Sequence, residues 1–261
     1  MKSLTKELLY FLLIISLFLF ICEVLLAQEV AVYNDKQSAW IDPAQMVTAI
    51  DKIFPKKGIP YKVVKAPELE EYMKANKTGI VIMTTGIAPG EIFKNQGNKD
   101  LVHTWLFNDG GIMFWTGDWP FYYWDAPANC PGSAGETSVF GNVITVSVAS
   151  VKLEPTEIGK KLIPSIKAHT ANRPISLTTL KNNNYEYESY ADDGVNADPI
   201  SLRAPKMKGW FVNIHTWPEN ETYDDIATQM AELLKNKFLT QKIAVSTLDK
   251  LTSTWGNIKK N

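Results

Sequence analysis

Cysteine and histidine are scarce in this chain: its 261 residues hold 2 of the first and 3 of the second. Two cysteines, Cys22 and Cys130, cannot build a disulfide framework, so the core has to hold the fold together. No His/Cys spacing resembles a zinc motif, and no metal or cofactor is expected. Charge of one sign is also lacking. With 27 basic and 28 acidic residues the formal net charge is -1, and no long Lys/Arg run occurs, which excludes nucleic acid as the main partner. No Gly-rich phosphate fingerprint follows the first apolar strand, which argues against a dinucleotide site, and no internal repeat is visible.

One apolar run stands apart. Lys2 and Lys6 precede Leu8–Ile21, Cys22 and Glu23 interrupt, and Val24–Ala27 follow. This reads as a signal peptide over residues 1–27, cleaved after Ala27, and predicts a periplasmic or extracellular mature protein. The run is short for a membrane span, so membrane contact is expected only through this segment if it stays uncleaved. A lipid anchor on Cys22 is not expected, because Ile21 is bulky where a small residue is required. Asn76-Lys77-Thr78 and Asn220-Glu221-Thr222 fit the glycosylation sequon, which matters only in a glycosylating secretory pathway.

The mature chain alternates short apolar runs with helical patterns. Glu29–Tyr33, Tyr61–Val64, Gly79–Thr85 and Ile112–Trp115 read as strands, with helices between them. Asp42-Pro43 is a helix start, and Gly58 a helix stop. This order predicts an α/β fold: a flavodoxin-like, doubly wound, mainly parallel sheet with helices on both faces. Pro127–Gly141 reads as a loop and Asn142–Ser150 as a strand in an inserted region. Pro155–Ala168 reads as a helix, and Asn182–Ser201 as an edge strand followed by a loop. Gly209–His215 is the last parallel-strand candidate. Thr222 and Asp225 form a capping box ahead of an amphipathic helix, and Ile243–Trp255 suggests a terminal helix. No linker divides residues 28–261, which read as a single domain.

The densest stretch is Gly110–Trp124, GGIMFWTGDWPFYYW. A strand runs into a tight turn at Thr116-Gly117-Asp118-Trp119. A carboxylate there sits where open α/β sheets bind ligands. Asp118 is also placed to cap a helix begun by Pro120. Trp115 is expected in the core, whereas Trp119, Tyr122, Tyr123 and Trp124 are placed to line a pocket. Flat amphipathic rings beside a carboxylate suit a small polar ligand such as a carbohydrate, and equally a protein contact. Parallel strands put Asp35, Thr85, Gly86, Gly117, Asp118, Trp119, His215 and Trp217 at one sheet edge. Asp118 and His215 are the candidate catalytic pair. His103 and His169 have no motif around them and read as structural. The acidic turn Asp192–Asp198 lacks the spacing of a calcium loop and reads as solvated.

Two pieces resemble the class I glutamine amidotransferase-like superfamily, including its non-amidotransferase, ThuA-like relatives. One is the elbow Trp115-Thr116-Gly117-Asp118-Trp119. The other is Gly209–Glu219, GWFVNIHTWPE, which is similar to a terminal strand ending in His-Pro-Glu. The resemblance implies a nucleophilic cysteine at the elbow, but Asp118 or Trp119 stands there and Cys130 lies beyond the turn. Glutamine hydrolysis requires that thiolate, so glutaminase activity is not expected. The leading expectation is an exported binder of a small polar ligand. The alternatives are a hydrolase using Asp118 and His215, and an interaction module using the aromatic loop 119–124.

Overall fold

The computed structural model describes residues 29–36, 41–126, 129–148, 150–216 and 221–239. Within them Glu29–Lys237 form one compact unit. The expected signal peptide, the terminal helix beyond Leu239 and Trp217 lie outside the described residues. Among the described residues no helix is long and apolar enough to cross a membrane.

The strands run in chain order as follows. First come β1 (Val30–Tyr33), β2 (Tyr61–Val64), β3 (Ile80–Met83), β4 (Ile87–Ala88), β5 (Ile112–Gly117) and β6 (Tyr123–Trp124). The inserted region supplies β7 (Val151–Pro155), β8 (His169–Ala171), β9 (Ile175–Ser176), β10 (Glu186–Ser189), β11 (Ala191–Asp192) and β12 (Asn196–Ala197). The chain returns through β13 (Ile200–Arg203) and β14 (Trp210–Thr216). The main sheet has the order β10-β13-β14-β5-β3-β1-β2. From β14 to β2 every pairing is parallel, while β13 and β10 add an antiparallel edge. Among the parallel strands the order is second, first, third, fourth, fifth, the flavodoxin-like doubly wound arrangement that the sequence predicts.

Alternation along these strands divides the core in two, because successive side chains point to opposite faces. Ala31, Tyr33, Val81, Met83, Met113, Trp115 and Phe211 join one cluster with Leu69 and Met73 of the Ala66–Ala75 helix. Val30, Val32, Ile80, Ile82, Phe114 and Val212 are equally buried on the other face. The Pro43–Lys57 and Tyr223–Leu233 helices pack on each other, and the second of them contacts β14. Their apolar stripes, Met46, Ile50 and Phe54 with Ile226, Met230 and Leu233, are buried. Asp42 caps the first of these helices through the Ala44 and Gln45 amides, and the Thr222–Asp225 capping box starts the second, as their sequences predict.

Five local expectations change. Pro127–Gly141, expected as a loop, contains a helix, Ser133–Phe140. The stretch after β10, also expected as a loop, supplies β11, β12 and the start of β13. Among its described residues Asn142–Ser150 forms no regular strand; it runs beside 172–176, with a bridge from Thr145 to Ile175 and the Val146 and Val148 amides donating to the Pro174 and Asn172 carbonyls. The Ile144 and Thr145 amides donate instead to the buried carboxylate of Glu136, which removes them from any ladder. The helix expected over Pro155–Ala168 is shorter, Glu157–Leu162. Pro164 disfavours helical backbone at Ile163 and ends it. No helix follows Asp118, where the chain makes an irregular turn into β6. The inserted region forms its own antiparallel sheet, β8-β7-β11-β12-β9.

Candidate functional site

β5 ends in Gly117, and the turn that follows is held from several sides. The Trp115 indole N–H donates to the Asp118 carbonyl at 2.8 Å. Phe121, fully buried with φ +58°, anchors the far side against Trp115, with ring centroids 4.8 Å apart. Gly117 has φ +112°, a conformation open to glycine. A Cβ on Gly86 would stand 2.8 Å from the Asp118 Cβ, so the loop after β3 reaches Asp118 only because it carries no side chain there. Gly86 and Gly117 thus act through backbone approach and do not line the cavity.

Asp118 is turned toward the inserted region. Its Oδ1 accepts from the Trp119 amide at 2.7 Å and lies 3.7 Å from Arg173 Nε. Burial pushes the Asp118 carboxyl upward, and the Trp119 amide and Arg173 pull it back. Arg173 is fixed in turn, donating from Nη1 to Ser147 Oγ at 3.0 Å and to the Asn172 carbonyl at 2.9 Å. Asp118, Trp119, Tyr122, Tyr123, Ser147 and Arg173 line a cavity of about 250 Å³. The Trp119 and Tyr122 rings are 5.2 Å apart and tilted by 34°. This small concavity pairs aromatic faces with a carboxylate, a guanidinium and a hydroxyl.

The structure brings together Asp118, Trp119, Tyr122 and Tyr123 of the predicted site, and the other described members do not line the cavity. Asp35 is exposed and accepts from the Ala66 amide at the start of a helix, 3.3 Å away. Thr85 is buried, and its hydroxyl accepts from the Ile87 amide at 3.1 Å. Trp124 is half-buried and packs against the core.

The shared cleft expected for Asp118 and His215 is corrected. His215 is fully buried and does not line the cavity. Between Asn213 and Thr216, β14 takes one residue more than β5, a bulge, and His215 lies within it at φ +50°. Its amide donates to the buried Asp198 carboxylate at 2.7 Å. Its ring packs edge-on to His169, with centroids 4.7 Å apart.

No protein-family model matches this chain, and no curated protein matches it. Among the solved structures similar to it, three align at low identity. One is a β-galactosidase from Rahnella sp. R3, at 15% identity and TM-score 0.46; the alignment covers 80% of this chain but only 31% of the galactosidase. A Thermoplasma acidophilum protein named for a GMP synthase subunit shares 11% identity at TM-score 0.41, over 82% of this chain and 98% of its own. The glutaminase domain of Trypanosoma brucei CTPS, solved with bound acivicin, aligns at 10% identity and TM-score 0.39, over 81% and 95%. The fold of this chain is read from its strand order and register.

Around His215 the structure assembles groups that no sequence motif connects. Gln229 Nε2 donates to Glu221 Oε2 at 3.0 Å, so its Oε1 accepts from His215 Nε2–H at 2.7 Å. His169 Nδ1 lies 3.1 Å from the Lys167 carbonyl, which only accepts, so that nitrogen carries the proton. His215 Nδ1 and His169 Nε2 are left buried with no hydrogen-bond partner. Burial, reinforced by His169, pushes His215 down to about 3, against Gln229 and Asp225, so the ring is neutral. Arg173 and Ser147 of the cavity also carry no signal in the sequence, since both come from the inserted region. Gln229 does carry one: it interrupts the apolar stripe between Ile226 and Leu233 and is buried there.

Proposed function

We propose that this chain is an exported, amidotransferase-like α/β protein that binds a small polar ligand, with a sugar as the best-fitting class, and has no glutaminase activity. The cavity at the end of β5 carries this reading. Trp119, Tyr122 and Tyr123 offer flat faces to an apolar ring surface, while Asp118, Arg173 and Ser147 offer charged and neutral hydrogen-bonding groups to hydroxyls. A volume of about 250 Å³ suits one small molecule and is below the range usual for drug-sized ligands. The lack of glutaminase activity is supported by Asp118 and Trp119 standing at the elbow, with Cys130 exposed in the loop beyond it. Export is supported by the signal-like segment 1–27.

The hydrolase alternative has less behind it, because its base, His215, is buried away from the cavity. The interaction-module alternative is not favoured either. The exposed large hydrophobic residues among those described are Val63, Val143 and Val195, none of them in loop 119–124.

A panel of monosaccharides, disaccharides and polyols titrated against the mature chain, followed by tryptophan fluorescence, tests the reading. At least one saccharide should bind saturably, and Trp119→Ala should lose that binding while keeping its circular dichroism. Glutamine should not be hydrolysed. Saturable binding untouched by Trp119→Ala, or measurable glutamine turnover, would overturn the proposal.

A further inference from the structure

His169, His215 and Glu221 each offer one ligand atom, and these atoms all lie within 4.8 Å of one another. From this convergence we infer that the three side chains bind a divalent transition-metal ion, with Gln229 as the positioning residue behind them. This site is separate from the ligand cavity, and its test does not depend on the sugar-binding reading.

Three observations carry the inference. Both imidazoles are almost wholly buried, at 2% exposure for His169 and 0% for His215, yet each leaves one nitrogen without a partner. A buried polar group without a partner costs about 1–3 kcal/mol, and each of these two imidazoles carries one. The protons are also in the positions that metal binding requires. Each histidine has one ring nitrogen on an oxygen, His169 on the Lys167 carbonyl and His215 on Gln229, and its other nitrogen without a partner. Gln229 links the set by holding His215 with its oxygen and Glu221 with its nitrogen. One side-chain amide therefore orients two of the three ligands.

The donor set defines the ion. Two imidazoles and a carboxylate suit zinc and its neighbours, whereas calcium and magnesium take oxygen ligands. Donors around a tetrahedral zinc, bound at about 2.1 Å, stand roughly 3.4 Å apart, so the cluster has to close slightly. Glu221 is half-buried, whereas the two histidines are buried. Three protein ligands leave a fourth position for water. Lys167 and Asp225, 4.0 Å apart, are the other charged groups acting on this corner.

The test uses the untagged mature chain in a Cys130→Ser background, stripped with chelator and dialysed. Titration calorimetry with Zn²⁺ and absorption spectroscopy with Co²⁺ follow uptake. One equivalent of Zn²⁺ should bind, with Co²⁺ giving the intense visible bands of a low-symmetry nitrogen and oxygen site. Mg²⁺ and Ca²⁺ should not compete. Glu221→Gln, at the half-exposed position, should weaken Zn²⁺ binding at least 10-fold with the fold intact by circular dichroism. His169→Gln should abolish the cobalt spectrum. Gln229→Ala should weaken binding by about 10–100-fold, as loss of an orienting partner does elsewhere. Failure to bind stoichiometric Zn²⁺, or binding unchanged in both Glu221→Gln and His169→Gln, would overturn the inference and leave the two imidazoles as structural groups.

Discussion

Arg173 Nε stands 3.7 Å from Asp118 Oδ1, joining the loop before β9 to the turn after β5. The two side chains differ in exposure, 27% for Arg173 and 8% for Asp118, so the carboxylate forms the inner wall and the guanidinium the mouth. Asp118→Asn keeps an acceptor for the Trp119 amide and removes the charge. Calorimetry with the best-bound saccharide should show a 10–100-fold loss of affinity, the size expected for a charge-assisted hydrogen bond worth about 1.5–3 kcal/mol. The midpoint of thermal unfolding should move little.

Gly86→Ala tests the backbone approach that supports Asp118 from behind. The added Cβ would stand 2.8 Å from the Asp118 Cβ, so the turn has to shift. Urea unfolding should show a loss of about 1–3 kcal/mol, the usual cost of overpacking. Ligand affinity should fall as well, because Asp118 is the group displaced.

Glu136 makes stability depend on pH. Its carboxylate is fully buried, and it accepts from the Ile144 and Thr145 amides and from the Thr145 hydroxyl. Burial pushes it up to about 7, against the hydrogen bonds from Thr145 and Ile144. Between the ordinary carboxyl value of 4.5 and about 7 the folded state holds a proton that the unfolded state has released. Stability from this group is therefore complete below 4.5 and falls as pH rises through that window. The fall is a few kcal/mol in all, about 1.4 for each pH step between the two values. Urea midpoints measured from about pH 4 to 8 should show it. Glu136→Gln should flatten it.

Lys237 is the buried cation of the β10–β13 edge. Its Nζ donates to Glu188 Oε1 at 2.8 Å, Tyr190 Oη at 2.9 Å and Ser201 Oγ at 2.8 Å, and lies 4.5 Å from the Trp210 ring centroid. Lys237→Met keeps the apolar stem and removes the shared donor. The expected cost is about 2 kcal/mol, read from chemical denaturation, with ligand affinity unchanged.

The sheet is largely legible in the sequence because its signals are local. Val30–Tyr33, Ile80–Met83 and Ile112–Trp115 are short, nearly continuous apolar runs, as a sheet covered on both faces requires. The Asp42 cap, the Gly58 stop and the Thr222–Asp225 box mark helix ends by chemistry confined to a few neighbouring residues. The inserted sheet is not legible in the same way. β8 has 3 residues and β9 has 2, too few for a period to show, and their pairing is set by tertiary contacts.

The candidate site divides along the same line. Asp118, Trp119 and Tyr122 follow one strand within a single turn, so reading the strand finds them. Arg173 and Ser147 reach the cavity only because the inserted region docks there. His215 stands at the sheet edge that its strand predicts, but a bulge of one residue within β14 separates its ring from the cavity. A shift of one residue along a strand reverses the face that a side chain occupies. His169 reads as structural in the sequence because nothing near it announces the partner that the bulge supplies.

A crystal structure of the mature chain soaked with its best-bound saccharide tests the central claim most directly. The account predicts density for the sugar over Trp119 and Tyr122, with hydroxyls bonded to Asp118 and Arg173. A saccharide bound elsewhere, with this cavity empty, would contradict it.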